Sequence, residues 1–499
     1  VTGARTGEPV TPPDPHRWWG LVVIALAQLM VVLDATIVNI ALPSAQRDLH
    51  ISDGNRQWVV TAYTVAFGGL LLLGGRIADR VGRRRTFVIG LIGFAGASAL
   101  GGAAVSSGML FGARALQGCF AAVLAPSALS LVTTAFTAPK ERGKAFGVYG
   151  ALAGSGSAIG LITGGLLTQY LNWRWCLYVN VPIAALAVVG ACVLLRDRPG
   201  HRGVRLDVPG VVTGCGGLVS LVYGVGEAES RGWADPLVLA LLVGGTALLA
   251  AFAWWQSRAP HPLLPPHIVK DRTRAGCFLT MALAVAGLFG IFLFMSYYLQ
   301  VILGYSPVRT GLAFLPLTAA IITGSTQISA RLLRRTAPRA LLIPGMLLAA
   351  SGTLLLTTLT VEAQYATRVL PAMVLMGLGM GLTFTPVFAT ATAGVAPQDA
   401  GITSATVNTA QQVGGSLGTA LLNTIATTSS AAYLAAHHLR DPAQQAHIAR
   451  EGIVHGYTVA LWWSAGLMLL AGLTAALMVT AKAPGRRAPT DSPVPESVA

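Results

Sequence analysis

The stretch Gly75-Arg76-Ile77-Ala78-Asp79-Arg80-Val81-Gly82-Arg83-Arg84-Arg85 decides how this chain is read. Gly75 and Gly82 permit a tight turn, Asp79 can accept from a helix N-terminus, and the arginines can meet lipid phosphates or acidic partners. A merely basic loop accounts for the arginines but not for Asp79 between two spaced glycines. Apolar runs flank the stretch at 58–78 and 86–105, each of the roughly 20 residues needed to cross a bilayer. Further runs follow the same rule at 18–42, 109–136, 145–170, 176–195, 208–226, 236–255, 275–303, 310–330, 340–360, 369–394, 402–427 and 457–481. The expectation is an all-α integral membrane protein with 14 transmembrane helices.

Composition excludes the soluble classes. Of 499 residues, 54% are hydrophobic and 11% charged, against about 25% charged in an average soluble domain. The net charge of +15 suggests nucleic acid only until the positions are examined. With a cytoplasmic N-terminus, Arg80, Arg83, Arg84, Arg85, Lys140, Arg142, Lys144, Arg196, Arg198, Arg202, Arg205, Arg331, Arg334 and Arg335 all fall in inner loops. The outer segments receive only Arg47, Arg56, Arg174, Arg231, Arg309, Arg368, Arg440 and Arg450. That is the positive-inside pattern, so both termini are expected to be cytoplasmic and no nucleic-acid partner is implied. The first apolar run, about 25 residues, exceeds the usual signal-peptide core of about 7–15, and is read as a retained span.

Aligning the loops exposes an internal repeat. Arg80, Arg83 and Arg84 after the second span match Arg331, Arg334 and Arg335 after the tenth at identical spacing, and Pro126 pairs with Pro386 as Gly143 does with Gly401. The chain divides into a tail (1–17), a six-helix half (18–195), two inserted helices (208–256), a second six-helix half (275–481) and a tail (482–499). Duplications of this kind typify secondary transporters, whose substrate site lies between the halves near the midplane.

Ionisable groups at membrane depth are costly and point to function. Deep in the spans stand only Asp34 and Arg114. Asp34 lies roughly 12 Å from the outer end of its span and Arg114 roughly 9 Å, which makes a direct or water-bridged pair feasible. Such a pair reads as a proton switch, because burial and a nearby guanidinium pull a carboxylate in opposite directions. The bland reading is a static ion pair pinning two helices. The five cysteines have no paired spacing and are read as small hydrophobes. No metal site is expected; His437, His438, His447 and His455 fit a solvated hairpin broken at Pro442 and Gly452. Gly143-Lys144 lacks the upstream glycine of a phosphate loop, and Gly414-Gly415-Ser416-Leu417-Gly418 lies within an apolar helix, not at a nucleophile elbow. No enzyme is implied.

The Gly75–Arg85 stretch resembles the signature loop between spans two and three of the major facilitator superfamily. Leu33-Asp34-Ala35-Thr36-Ile37-Val38-Asn39-Ile40-Ala41-Leu42-Pro43 is similar to the first-span motif of the fourteen-span drug:proton antiporters. Leu110, Arg114 and Gln117-Gly118 resemble their fourth-span motif, and Trp173-Arg174-Trp175 with Asn180-Val181-Pro182 is also typical of the group. The likeness covers nearly the whole chain. It implies a major facilitator fold, Asp34 as the proton-carrying group, Arg114 as its partner, and Gly75, Asp79, Arg80, Gly82, Arg83 and Arg84 as an inner latch between the halves. One motif departs from the pattern: Gly156, Gly160, Gly164 and Gly165 form the fifth-span glycine series, but Leu161 stands where that family carries proline. The glycines still make a flat face for helix packing.

Polar or aromatic positions on apolar spans are candidate cavity residues: Tyr63, Phe67, Asn180, Tyr297, Gln300, Phe384, Asn408, Gln411 and Gln412. The leading expectation is a monomeric proton-coupled antiporter exporting drugs, antibiotics or other small amphipathic molecules, with the proton gradient as its energy source and no cofactor. An arginine-rich, alanine- and glycine-rich composition points to the cytoplasmic membrane of a high-GC bacterium. Two alternatives stay open at this point, a proton-coupled nutrient uptake symporter and a non-transporting membrane sensor.

Overall fold

The computed structural model describes residues 17–136, 139–195, 207–260, 262–333, 335–395, 399–437 and 442–481, and among them regular structure is entirely helical. The first half is α1 (Arg17–Asp48), α2 (Trp58–Val81), α3 (Arg83–Gly102), α4 (Ser107–Ala135), α5 (Pro139–Tyr170) and α6 (Trp175–Leu194). A hairpin of α7 (Val208–Arg231) and α8 (Pro236–Gln256) follows. The second half is α9 (Arg272–Ile302), α10 (Pro307–Leu332), α11 (Arg339–Leu356), α12 (Tyr365–Thr392), α13 (Ala400–Ala436) and α14 (Pro442–Met478). Twelve of these helices are long and apolar enough to cross a membrane. The other two, α5 and α13, have 32 and 37 residues and ample length, but α5 is rich in glycine and α13 in threonine, serine and glutamine. Both pack inside the bundle, α5 on α1 and α13 on α2, α9 and α14. The protein is a multi-pass membrane protein.

Two expected helix ends are corrected. α1 continues through Pro43 to Asp48. The expected break at Gly452 is absent, because that glycine lies within α14 where a Cβ would stand 3.0 Å from Leu434. Close approach to a neighbour, not a turn, is what this glycine serves. α13 and α14 thereby run on as a helical hairpin, with the Tyr433 ring 4.2 Å from His437 and 5.0 Å from His455. His438, Arg196, Arg198, Arg202, Arg205, Arg334, Arg440 and residues 1–16 and 482–499 lie outside the described residues, as do the side chains of Asp79, Lys140, Arg142 and Lys144.

The apolar core reveals how the halves meet. One cluster runs without interruption from Leu33, Ile37, Val59, Leu110 and Leu161 of the first half into Phe294, Tyr298, Phe314 and Leu461 of the second. A separate cluster built on Leu21, Ile24, Phe67, Phe87, Phe94 and Val132 fills the first half nearer the Arg84 end, with Ala405 of α13 packed against it. The halves are thus joined at the Asp48 end. Ser296 donates to Asn39 O (2.6 Å), Gln300 to Ile40 O (3.1 Å), and the Tyr297 hydroxyl to Gln46 Oε1. Asn423 Nδ2 donates to Asp53 O (3.1 Å), and Arg56 Nε to Asn423 Oδ1 (3.1 Å). The inserted hairpin covers one seam: α7 packs on both α2 and α13, with Thr424 donating to Val225 O (3.0 Å) and the Trp58 and Tyr223 rings 5.7 Å apart.

Candidate functional site

Four helices of the first half converge on Asp34. Its fully buried carboxylate accepts at Oδ2 from Arg114 Nη1 (2.6 Å) and at Oδ1 from Gln117 Nε2 (3.0 Å) and Asn180 Nδ2 (2.8 Å). Gln117 Nε2 also donates to Ser98 Oγ (2.7 Å), which lies 3.4 Å from Asn180 Nδ2. Arg114, 1% exposed, donates besides to Val59 O (2.9 Å) and Gln117 Oε1 (2.7 Å), and stacks over the Tyr63 ring at 4.6 Å. Such charge-assisted bonds are the strong ones, and they offset the cost of burying both charges.

Local sequence explains the convergence. Gln117 sits one turn after Arg114 on α4, so both face α1. Gly118 lets α2 come close: a Cβ there would lie 2.4 Å from Tyr63 O. That approach brings Tyr63 and the Val59 carbonyl onto Arg114. Gly156, Gly160 and Gly164 admit Val32, Thr36 and Ile37 of α1 into the face of α5, while Gly165 meets Pro307 and Val308 of α10 across the halves. Leu161 is fully buried, with its carbonyl against Gly311 of α10.

The remaining expected residues divide. Asp34 and Arg114 are in contact. Asn180, expected in a cavity, instead belongs to the Asp34 network, and Tyr63 lies under Arg114 with Phe67 packed beside it (5.7 Å) in the first-half core. Tyr297 and Gln300 join the halves, so they do not line an open cavity in this state. Phe384 packs on the larger core, Asn408 bonds back to Ser404 O (3.1 Å), Gln411 is half-buried, and the Gln412 Cβ faces Gly68. The expected latch is described only in part, since the Asp79 side chain lies outside the described residues. Gly82 (φ +107°) makes the turn, and Arg84 donates to Ala191 O (3.1 Å) and Cys192 O (2.6 Å) at the end of α6 in its own half. Arg76 donates to Pro262 O (3.0 Å), Arg80 is exposed, and Gly75 faces Pro126. Free helix C-terminal carbonyls are the natural partners of such cations. Among the described residues no cluster of His, Cys, Asp and Glu could hold a metal.

Sequence reasoning missed Ser98 and Arg56. Ser98 looks like any small residue of an apolar span. Arg56 counted only as an outer-loop charge, yet it is 4% exposed, 4.2 Å over the Tyr297 ring and 3.4 Å from the Tyr457 hydroxyl. Its signal was Asp53 three residues earlier, 3.5 Å away. A cavity of about 10 Å³ lies between Arg114 and the Asp48 end, lined by Val38, Leu42, Val59, Leu110 and Trp173. That is room for about one water.

Known proteins share this plan. Residues 24–419 match the Major Facilitator Superfamily. The puromycin resistance protein pur8 of Streptomyces alboniger is 59% identical over 472 residues, covering 94% of this chain and 93% of that one. The cephamycin export protein CmcT of Amycolatopsis lactamdurans is 39% identical, covering 84% and 87%. Among solved structures, a bacterial homologue of the human lysosomal transporter Spinster superposes with a TM-score of 0.67 at 16% identity, covering 93% of this chain and 97% of that one. The duplicated helical halves, the inserted hairpin and these matches together place the chain in the Major Facilitator Superfamily of transporters.

Proposed function

We propose that this chain is a monomeric proton-coupled antiporter that exports antibiotic-like amphipathic molecules across a bacterial cytoplasmic membrane and so confers resistance. The carrying observation is the buried Asp34–Arg114 pair at 2.6 Å in a transporter whose relatives are resistance and export proteins. The Asp48 end faces outside and the Arg84 end the cytoplasm, following the positive-inside distribution. In this state the outer end is closed.

Asp34 carries the proton and Arg114 is its partner. When Asp34 is ionised, three donors hold α1 against α4 and α6. A proton on Asp34 removes the ion pair, but Arg114 keeps Val59 O, Gln117 Oε1 and the Tyr63 ring, so it is not left as a bare buried charge. α1 loosens, and its Asn39 and Ile40 carbonyls, less than two turns further on, are the acceptors that join the halves. A membrane potential of 100 mV adds about 2.3 kcal/mol per charge moved, a bias of roughly fifty-fold. No cofactor takes part; the proton gradient is the energy source.

The test is puromycin efflux from a pump-deleted host and from proteoliposomes with an imposed pH gradient. Asp34→Asn is expected to insert normally and to lose gradient-driven efflux. Retained gradient-driven efflux by Asp34→Asn would reject its role, and wild-type movement only inward would reject export.

A further inference from the structure

We propose that Asn180 is a positioning residue that switches between donor and acceptor to suit the protonation state of Asp34. This rests on the reading of Asp34 as the proton carrier. As it stands, Asp34 is saturated for the ionised state, with three donors on its two oxygens. That arrangement has no acceptor for the O–H of a protonated carboxyl. Arg114 has donors only. The Gln117 amide is held at both atoms, its Oε1 by Arg114 and its Nε2 by Ser98.

Asn180 is different. Its side chain is fully buried, and its Oδ1 has no hydrogen-bond partner. Its Nδ2 is tied to Asp34 Oδ1 at 2.8 Å and only weakly to Ser98 Oγ at 3.4 Å. A half-turn of the amide exchanges the two atoms. Oδ1 then receives the Asp34 O–H, and Nδ2 takes up the position where Oδ1 had been unpartnered. No bond to another residue opposes the turn except that long contact to Ser98. An unsatisfied buried carbonyl is costly, so leaving one beside the proton-binding group makes sense if the protonated state uses it. The other titratable groups facing Asp34 are Arg114 on α4, Tyr63 on α2 and Cys176 in the first turn of α6. Tyr63 Oη has no partner either, but its ring is held under Arg114. Asn180 alone contacts the carboxylate with an acceptor to spare.

The experiment follows the carbonyl stretch of a protonated carboxyl by infrared difference spectroscopy, titrating the full-length protein in lipid nanodiscs. Asp34→Asn identifies the band by removing it. Asn180→Leu, of similar volume, can neither donate nor accept. It is expected to shift the band's titration midpoint to higher pH by about half a unit or more, because a donor to a charge is worth more than an acceptor to a neutral acid. It is also expected to move the stretch to higher wavenumber, since the acid loses its O–H acceptor. Asn180→Gln, which keeps the amide, is expected to restore the wild-type frequency, and Asn180→Val replaces Leu if thermal melting shows that variant unfolded. An unchanged frequency and midpoint in the apolar variant overturns the role of Asn180 while Asp34 stands. A wild-type protein without the Asp34 band overturns the carrier reading itself.

Discussion

Asp34 and Arg114 form a fully buried ion pair at 2.6 Å. Removing one partner of a buried pair strands the other, at a cost of about 3–5 kcal/mol, whereas replacing both with apolar groups is often neutral. Arg114→Met is therefore expected to lower the thermal stability of the purified protein more than Asp34→Leu combined with Arg114→Met. Differential scanning calorimetry in detergent checks this, and equal losses would argue against a tight pair. The pair was legible because charge at membrane depth is rare enough for two residues to stand out. Asn180 and Ser98 were not, since a lone amide or hydroxyl on an apolar span looks the same whether it faces cargo, lipid or a carboxylate. Only the third dimension distinguishes them. Arg56 was misleading for the opposite reason. Charge near a span end normally means solvent, and nothing local says that two tyrosines from the far half bury it.

At the scale of helices, small residues decide approach. A Cβ on Gly160 would lie 2.0 Å from Thr36 Oγ1 and 3.1 Å from Leu33 O. Gly160→Leu is expected to force α1 away from α5, carrying Asp34 off Arg114, with both stability and efflux lost. Gly112, with no atom within 4 Å of a Cβ, should accept alanine without effect. The glycine face was readable from spacing alone, but the helix it served was not. The inserted hairpin has its own anchor. Asp207 caps α7 by accepting from Gly210 N (2.9 Å), and also accepts from Trp255 Nε1 (2.7 Å) and Gln256 Nε2 (2.7 Å) of α8. Burial pushes its carboxyl up, but the hydrogen bonds from Gln256, Trp255, Gly210 and Leu263 outweigh that and hold it below the usual carboxylate value. A depressed value means stability that is complete above the unfolded value near pH 4 and lost as pH falls through the folded one. Trp255 fluorescence is expected to stay constant from pH 7 to about pH 5 and to change only in stronger acid. Asp207→Ala should show the altered emission at neutral pH.

For the whole molecule, the repeat implied two halves with a substrate site expected between them, but no repeat can say which end is closed. That depends on contacts between residues hundreds of positions apart, such as Arg56 with Asn423 and Tyr457. With the Asp48 end outside, as proposed, that end must open for cargo to leave, so these contacts have to be strong enough to seal and weak enough to break. Arg56 meets that demand in a particular way. Stacking on Tyr297 at 4.2 Å and on Tyr457 at 5.8 Å, it gains cation–π attraction of about 2 kcal/mol when desolvated. Its ionic partner Asp53 is exposed on the same half and can follow it into water. Opening therefore returns Arg56 to solvent with its counter-ion instead of stranding it. Arg56→Gln is expected to weaken the closed outer end while leaving Asp34 and Arg114 undisturbed. A cysteine at Ser296, buried against Asn39 O, reports the change. Its labelling by a membrane-impermeant maleimide from outside should rise several-fold in the Arg56→Gln background, and efflux should slow because the state closed at the Asp48 end is less populated. Blocking the same cysteine by a short cross-link to a second at Asn39 should instead hold the outer end shut and stop export, with activity returning on cleavage of the link. If labelling does not depend on Arg56, the seal resides in the apolar contacts of Phe294 and Leu461, and the guanidinium is only a filler among tyrosines.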